Sequence, residues 1–373
     1  MIEILISTRN LINRFLYKAV FKPIFFRIDP ETIHDGMIKI GRFLGSNSFT
    51  RAAVAFFFSY SNKCLEQIIL GIKFPNPVGL AAGFDKDAVL TELLPSVGFG
   101  FAEVGSVTGE PCLGNPKPRL WRLTKSKALV VYFGLKNNGC EEISRRLRSK
   151  TFSIPIGVNI AKTNSPKTVE LEAGIEDYAK AFEQFTGIGS YFTINISCPN
   201  AFGGQPFNSP DRLEKLLTTL GQITTKKPIF LKLSPDLAEK EIDQIIEVAA
   251  RHKIAGFICS NVTENRENKK IVEKQIPKKG GISGKPVEDL TNDLIRYVYQ
   301  KTGGRFVIIG CGGVFSAEDA YKKIRLGASL VELLTGMIYE GPQVISEINQ
   351  GLVRLLQKDG FKNISDAVGM DNR

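Results

Sequence analysis

A (β/α)8 TIM barrel with a small helical N-terminal extension is the architecture the sequence predicts, on three observations. From Leu70 onward, eight short apolar runs alternate with helical patterns. Glycine-rich loops follow the seventh and eighth runs, where a barrel of this kind holds phosphate. Residues 1–64, by contrast, carry helical spacing and no strand pattern. The 373 residues, 43% hydrophobic and 23% charged, supply a large core, divided into an extension over 1–64 and a barrel over 65–373. Alternation by itself also accommodates a doubly wound open sheet.

In chain order, Leu11, Ile12, Phe15, Leu16, Ala19 and Val20 fall at helical spacing between Arg9 and Arg27, with Arg14, Lys18 and Lys22 interleaved. Asp29 can cap a second helix with Pro30 at its first position, Ile33, Met37, Ile40 and Leu44 forming its stripe and Gly45 closing it. A third apolar patch spans Val54 to Phe58. Basic residues among aromatic and aliphatic ones on short helices suit a membrane interface; packing on the main domain accounts for them equally well. Met1 to Ile6 is apolar but lacks a charged n-region and a cleavage site, and Ala53 to Phe58 is far too short to span a bilayer. On the membrane reading, the expectation is a peripheral protein on the cytoplasmic side.

The eight strands are expected at Pro77–Ala82, Phe99–Val107, Ile154–Ile160, Tyr191–Ile196, Pro228–Leu233, Ala255–Ser260, Arg305–Gly310 and Ser329–Leu334. Helices are expected at Leu237–His252, Val287–Lys301, Ala317–Leu326 and Pro342–Leu356. Chemistry in such a barrel sits where strands end, and polar residues recur there. The ends carry Gly83 to Asp87 with Lys86, then Ser106, Asn159, Asn195, Lys232 within an apolar strand, Ser260 and Asn261. A lysine in an apolar strand needs a partner, a carboxylate in the plainest case. After strand four, Asn195-Ile196-Ser197-Cys198-Pro199-Asn200 brackets a thiol between two asparagines; a lone cysteine is most often structural. The loops Gly310-Cys311-Gly312-Gly313 and Leu334-Thr335-Gly336 let backbone N–H groups approach a phosphate.

Composition narrows the chemistry. The net charge of +11 is dispersed, without a tract expected to bind nucleic acid. Six cysteines lack metal or disulfide spacing, and two histidines are too few for a histidine-based metal centre, so no metal site is expected. Amide, hydroxyl and lysine donors without a metal set suit a conjugated, phosphate-bearing cofactor, and flavin mononucleotide (FMN) fits.

Four segments carry a family resemblance: Gly79-Leu80-Ala81-Ala82-Gly83-Phe84-Asp85-Lys86-Asp87, Asn115-Pro116-Lys117-Pro118-Arg119, the Asn195–Asn200 segment and Gly280-Gly281-Ile282-Ser283-Gly284. From about Leu16 to Leu355 the chain resembles the dihydroorotate dehydrogenases, and its Asp29-Pro30-Glu31 and His34 are similar to the membrane-associated, quinone-linked class 2. The resemblance implies FMN-dependent oxidation of dihydroorotate to orotate in pyrimidine synthesis, with electrons passed to a quinone reached through the N-terminal helices. It implies Cys198 as the base that takes the C5 proton. Asn195, Asn200 and Asn261 would hold the orotate ring with Gly134 and Leu135, Lys86 would serve flavin and substrate, and Lys232 would face the flavin's pyrimidine end. Ala82, Gly83, Ser106, Asn159, Asn195, Ser260, Gly284, Gly313, Leu334 and Thr335 would complete the flavin site.

Three positions depart from the family pattern. Class 2 members have serine at the base, where cysteine is the class 1 choice; a thiol of ordinary pKa, about 8.5, is a workable base near neutral pH. Val131 stands where the family has a substrate-contacting asparagine, and Leu334 where some class 2 members have an aromatic. The other functional readings are the same oxidation with a soluble acceptor such as fumarate, and a flavin barrel acting on RNA such as a dihydrouridine synthase.

Overall fold

The structure, a computed structural model, describes residues 2–372. Eight parallel strands close into a barrel in sequence order: Val78–Leu80, Phe101–Val107, Ile156–Ile160, Tyr191–Asn195, Ile229–Leu233, Gly256–Cys259, Val307–Cys311 and Leu330–Leu333. All eight expected strands are present, most of them shorter by one to three residues and the seventh running one residue further to Cys311, and closure removes the open-sheet alternative. The expected helices stand at Glu239–Arg251, Glu288–Thr302, Ala317–Arg325 and Val344–Asp359.

The two-residue period of the strands builds the barrel interior in layers. Phe101, Tyr191, Phe230, Ile258, Ile309 and Leu330 plug its lower end with Phe74. Gly79 and Gly157 make room for that plug, since a Cβ on either would lie 2.3 Å from the rings of Phe101 or Tyr191. Two residues further along, the inward positions turn polar: Glu103, Thr193, Lys232 and Glu332, all buried. Register sets Lys232 level with Asn195, and Glu332 level with Cys311.

Two small sheets outside the barrel escaped the apolar-run reading. Gln67–Ile69 pairs antiparallel with Ile72–Phe74 around Leu70 and Gly71, whose φ values of 51° and 77° match a tight hairpin turn. Leu120–Leu123, Ala128–Val131 and Gly281–Gly284 form a three-stranded sheet over the barrel mouth.

The front segment is helical over Ile2–Leu16, a wider π-type turn at Tyr17–Phe21, Lys22–Phe25, Pro30–Gly45 and Ser48–Phe58. Asp29 caps its helix as expected, accepting the Thr32 N–H at 2.8 Å. The first helix begins at Ile2, well before the expected Arg9, because its docked stripe is polar. Ser7 Oγ donates to Gln350 at 3.1 Å, Asn10 Nδ2 to Ser346 at 3.1 Å and Arg14 Nε to Glu347 at 2.9 Å. Leu11 and Phe15, which the periodicity singled out, point outward at 63% and 67% exposure. Among the described residues no helix is long and apolar enough to cross a membrane.

Candidate active site

The strand ends open into one cavity of about 1290 Å³, counting its open mouth. Ala82, Gly83, Lys86, Ser106, Gly134, Leu135, Asn195, Cys198, Asn200, Lys232, Ser260, Asn261, Gly284, Gly313, Leu334 and Thr335 all line it. Asn159 does not reach the cavity wall. It lies buried one layer below, where its Nδ2 donates to Glu103 at 3.0 Å and its Oδ1 accepts from Ser106. Its position supports Ser106, which in turn accepts from Asn195 Nδ2 at 3.0 Å.

The asparagines form a connected set. Asn195 Oδ1 accepts from the Ser197 N–H at 3.2 Å and from Asn261 Nδ2 at 3.3 Å, while Asn261 Nδ2 also donates to Ser197 Oγ at 3.0 Å. Asn200 Nδ2 donates to the Val131 carbonyl at 2.9 Å, and its own carbonyl accepts from Asn115 Nδ2 at 2.9 Å. Val131 brings an apolar side chain to the cavity wall where the family resemblance implied an amide, yet its backbone still orients Asn200. Hydrogen-bonded amides of this kind hold fixed donors and acceptors toward a flat polar ring.

Cys198 sits on the loop beyond Asn195. Burial pushes its thiol up to about 11, against the opposing pull of the Asn200 N–H and the Lys162 ammonium. This lies above the ordinary thiol range, so near neutral pH the free side chain is a thiol and not a thiolate. Lys162, itself buried, donates to the Phe202 carbonyl at 2.6 Å and shares a second, small cavity with Cys198 behind the loop.

The two expected lysines differ sharply. Burial, reinforced by Lys136, pushes Lys86 down to about 8; its Nζ lies 4.0 Å from the Phe133 ring centroid and 3.4 Å from His34 Nε2. Lys232 meets Glu103 and Glu332 at 3.9 Å each. Burial alone lowers its pKa, but the facing acid groups Cys311, Glu332 and Glu103 outweigh that and raise it, keeping the ammonium charged. The carboxylate partner expected for an internal lysine is therefore present, and Lys232 lines the cavity as well.

The residues fit a flat, phosphate-bearing group. The N–H groups of Gly313 and Val314 find no acceptor among the described residues. A Cβ at Gly83 would meet nothing within 4 Å, so the space beside it belongs to the cavity. Both carboxyl oxygens of Glu332 lack a hydrogen-bond partner although the residue is fully buried. Sequence reasoning passed over Glu332, although an acid inside Leu330-Val331-Glu332-Leu333 carries the same signal as Lys232 in its own strand. It also gave His34 no role at the cavity. The long-range fold brings His34 into the wall: Nε2–H donates to the Phe84 carbonyl at 2.9 Å, and burial with Lys86 pushes the imidazole down to about 4.

Known proteins are similar to this chain along most of its length. The family model described as dihydroorotate dehydrogenase matches residues 64–356. Proteins named dihydroorotate dehydrogenase (quinone) from Trichodesmium erythraeum and Nostoc punctiforme are 38% and 40% identical to the chain. These alignments cover 96% and 95% of this chain and 99% and 98% of the relatives. A crystal structure of DHODH in complex with ferulenol from Eimeria tenella superposes with a TM-score of 0.81 at 30% identity, covering 92% of this chain and 96% of that one. Matched by the family model over most of its length, and by full-length relatives at this identity, the chain belongs to the dihydroorotate dehydrogenase family.

Proposed function

We infer that the protein oxidises dihydroorotate to orotate, a step of pyrimidine synthesis, and delivers the electrons to a quinone. The observation that carries the reading is the convergence of Cys198, three asparagines, Lys86 and Lys232 on one cavity at the C-terminal end of the barrel. The cofactor is FMN, which when bound accepts the hydride from C6 of the substrate and passes its electrons on to the acceptor. Gly313 and Val314 offer their free N–H groups to its phosphate, with Gly284 and Thr335 alongside. Lys232, which lines the cavity, would set a positive charge against the pyrimidine end of the ring.

Cys198 Sγ takes the proton from C5. Since burial holds the thiol protonated, the base acts from a minor thiolate population, and Lys162 is the cation that favours it. Asn195, Asn200 and Asn261 orient the substrate's planar amides, with Gly134 and Leu135 beside them in the cavity wall. Residues 1–64 form a helical extension that lies on the cytoplasmic face of a membrane as a peripheral anchor. The quinone reaches the cavity on the side where His34 forms its wall.

Anaerobic addition of dihydroorotate to the purified yellow protein tests the reading. Bleaching of the flavin band, followed by reoxidation with a soluble quinone and not with fumarate, is the expected result. A band that dihydroorotate leaves untouched overturns the substrate assignment, and reoxidation by fumarate alone overturns the acceptor.

A further inference from the structure

Glu332 is a buried acid that nothing in the proposed chemistry uses. It projects into the barrel beside Lys232 and lines the cofactor cavity, and neither of its oxygens has a hydrogen-bond partner. The ionisable groups facing it come from four strands: Glu103 from the second, Tyr191 from the fourth, Lys232 from the fifth and Cys311 from the seventh. Among them Lys232 is the single cation, set 3.9 Å from each carboxylate. Two carboxylates and one ammonium leave an excess negative charge inside the barrel unless one carboxyl keeps its proton.

The hydrogen-bond partners decide which one keeps it. Glu103 accepts from Asn159 Nδ2 at 3.0 Å and from Thr193 Oγ1, donors that stabilise an anion. Glu332 has no N–H or hydroxyl donor, only the weakly donating Cys311 thiol beside it. We propose that Glu332 is a positioning residue held as a neutral carboxylic acid, presenting an O–H donor to the flavin beside the Lys232 ammonium, while Glu103 takes the ionic partnership with that lysine. Burial and the neighbouring Glu103 act in the same direction, raising the Glu332 pKa. The free oxygens then have their partner in the bound cofactor, and the Lys232 charge is balanced by Glu103 alone. Deprotonation of Glu332 at alkaline pH would add a negative charge next to the flavin and disfavour its reduced, electron-rich form.

The proposal rests on the flavin-binding reading, and two measurements separate the two. In the protein freed of flavin, infrared spectroscopy should show the carbonyl stretch of a protonated carboxylic acid that disappears in Glu332→Gln. Persistence of that band in the variant, or its absence from both proteins, overturns the assignment. In the flavin-loaded protein, Glu332→Gln replaces one neutral group by another. The reduction equilibrium against a reference dye should change less than about twofold at neutral pH, a small fraction of the roughly 30 mV that corresponds to tenfold in a two-electron couple. The curves should separate only at alkaline pH, where the wild type becomes harder to reduce. A constant offset of about tenfold or more at every pH means that Glu332 is ionised throughout, and the proposal fails. A chain that binds no flavin defeats the functional reading and leaves the infrared result standing. Lys232→Met serves as a control for folding and charge, since it should raise the acid band by returning a proton to the Glu103 pair.

Discussion

The front helices and the barrel use polar and apolar residues in opposite ways. In the barrel, Phe101, Tyr191 and Phe230 fill the interior and polar groups gather at the mouth, where they line the cavity. In the front segment the polar groups face inward. Asn10 is 2% exposed and Glu31 3%, while Phe43 and Phe49 stand 67% and 82% exposed. Tyr17 and Lys22 donate to the carbonyls of Ile338 and Tyr339, and Arg119, just before the Leu120–Leu123 strand, pairs with Glu31. Polar groups at the mouth line a cavity, while polar groups in the seam bond to other parts of the chain. A soluble helix normally shows the reverse arrangement, and an outward apolar face is the form an interfacial helix takes.

The largest expected effect tests the mouth. Cys198→Ala should slow flavin reduction by dihydroorotate roughly 10²- to 10⁴-fold, the usual worth of a general base, with little change in melting temperature. Stopped-flow absorbance and a thermal scan measure the two. Because burial puts the thiol at about 11, the wild-type reduction rate should climb about tenfold per pH unit from neutrality upward. A rate independent of pH between 6 and 9, or near-normal reduction in the alanine variant, removes Cys198 from the role.

The seam should answer to stability. Arg119 and Glu31 pair at 2.8 Å with side chains 6% and 4% exposed, and Lys117, Lys136 and above all Arg119 pull the Glu31 carboxyl down to about 2 despite its burial. Arg119→Met leaves that carboxylate buried beside weaker partners, so denaturant unfolding should lose about 3–5 kcal/mol. Reduction of the flavin in the folded protein should stay near wild type, since Arg119 does not line the cavity. Equal losses of rate and stability would erase the distinction between seam and mouth.

A smaller effect comes from His34, which belongs to both regions. Its folded value of about 4 lies below the ordinary 6.5, so the unfolded chain binds the extra proton first. Stability is intact above pH 6.5 and falls as pH drops toward 4, by about 3 kcal/mol when complete. His34→Gln should flatten that slope in melting temperature. An unchanged slope would place the acid-sensitive group elsewhere.

What could be read from the sequence follows the same division. The barrel strands were legible because parallel, doubly covered strands are continuous apolar runs, and Lys232 was legible as an exception within one. Glu332 carried an equal signal but no matching family motif drew attention to it. Asn159 was expected at the cofactor and instead lies beneath Ser106, because strand position does not say which layer a side chain occupies. The first helix was half legible for a physical reason: periodicity locates an apolar stripe but does not say whether that stripe packs on the main domain or faces outward. Ser7, Asn10 and Arg14 show that its partners are the polar side chains of Val344–Asp359. The Leu120–Leu123 and Ala128–Val131 strands are too short to rise above the background of apolar pairs.

The smallest effect on the fold should carry the largest consequence for location. Phe43 and Phe49 contribute little to packing, so Phe43→Ser and Phe49→Ser should each leave stability within about 0.5 kcal/mol of wild type. If their face rests in a lipid interface, each ring contributes about 1.5–3 kcal/mol of apolar burial there, and each serine should weaken binding to lipid vesicles about tenfold or more. Vesicle co-sedimentation at high salt isolates this term, because screening removes the attraction of Lys39 and Arg42 for anionic headgroups. Quinone reoxidation in vesicles should fall with binding, while reoxidation by a water-soluble quinone should not. Serine variants that bind vesicles as well as the wild type would mean that the exposed rings meet something other than lipid, and the inside-out front segment would then need a protein partner to cover it.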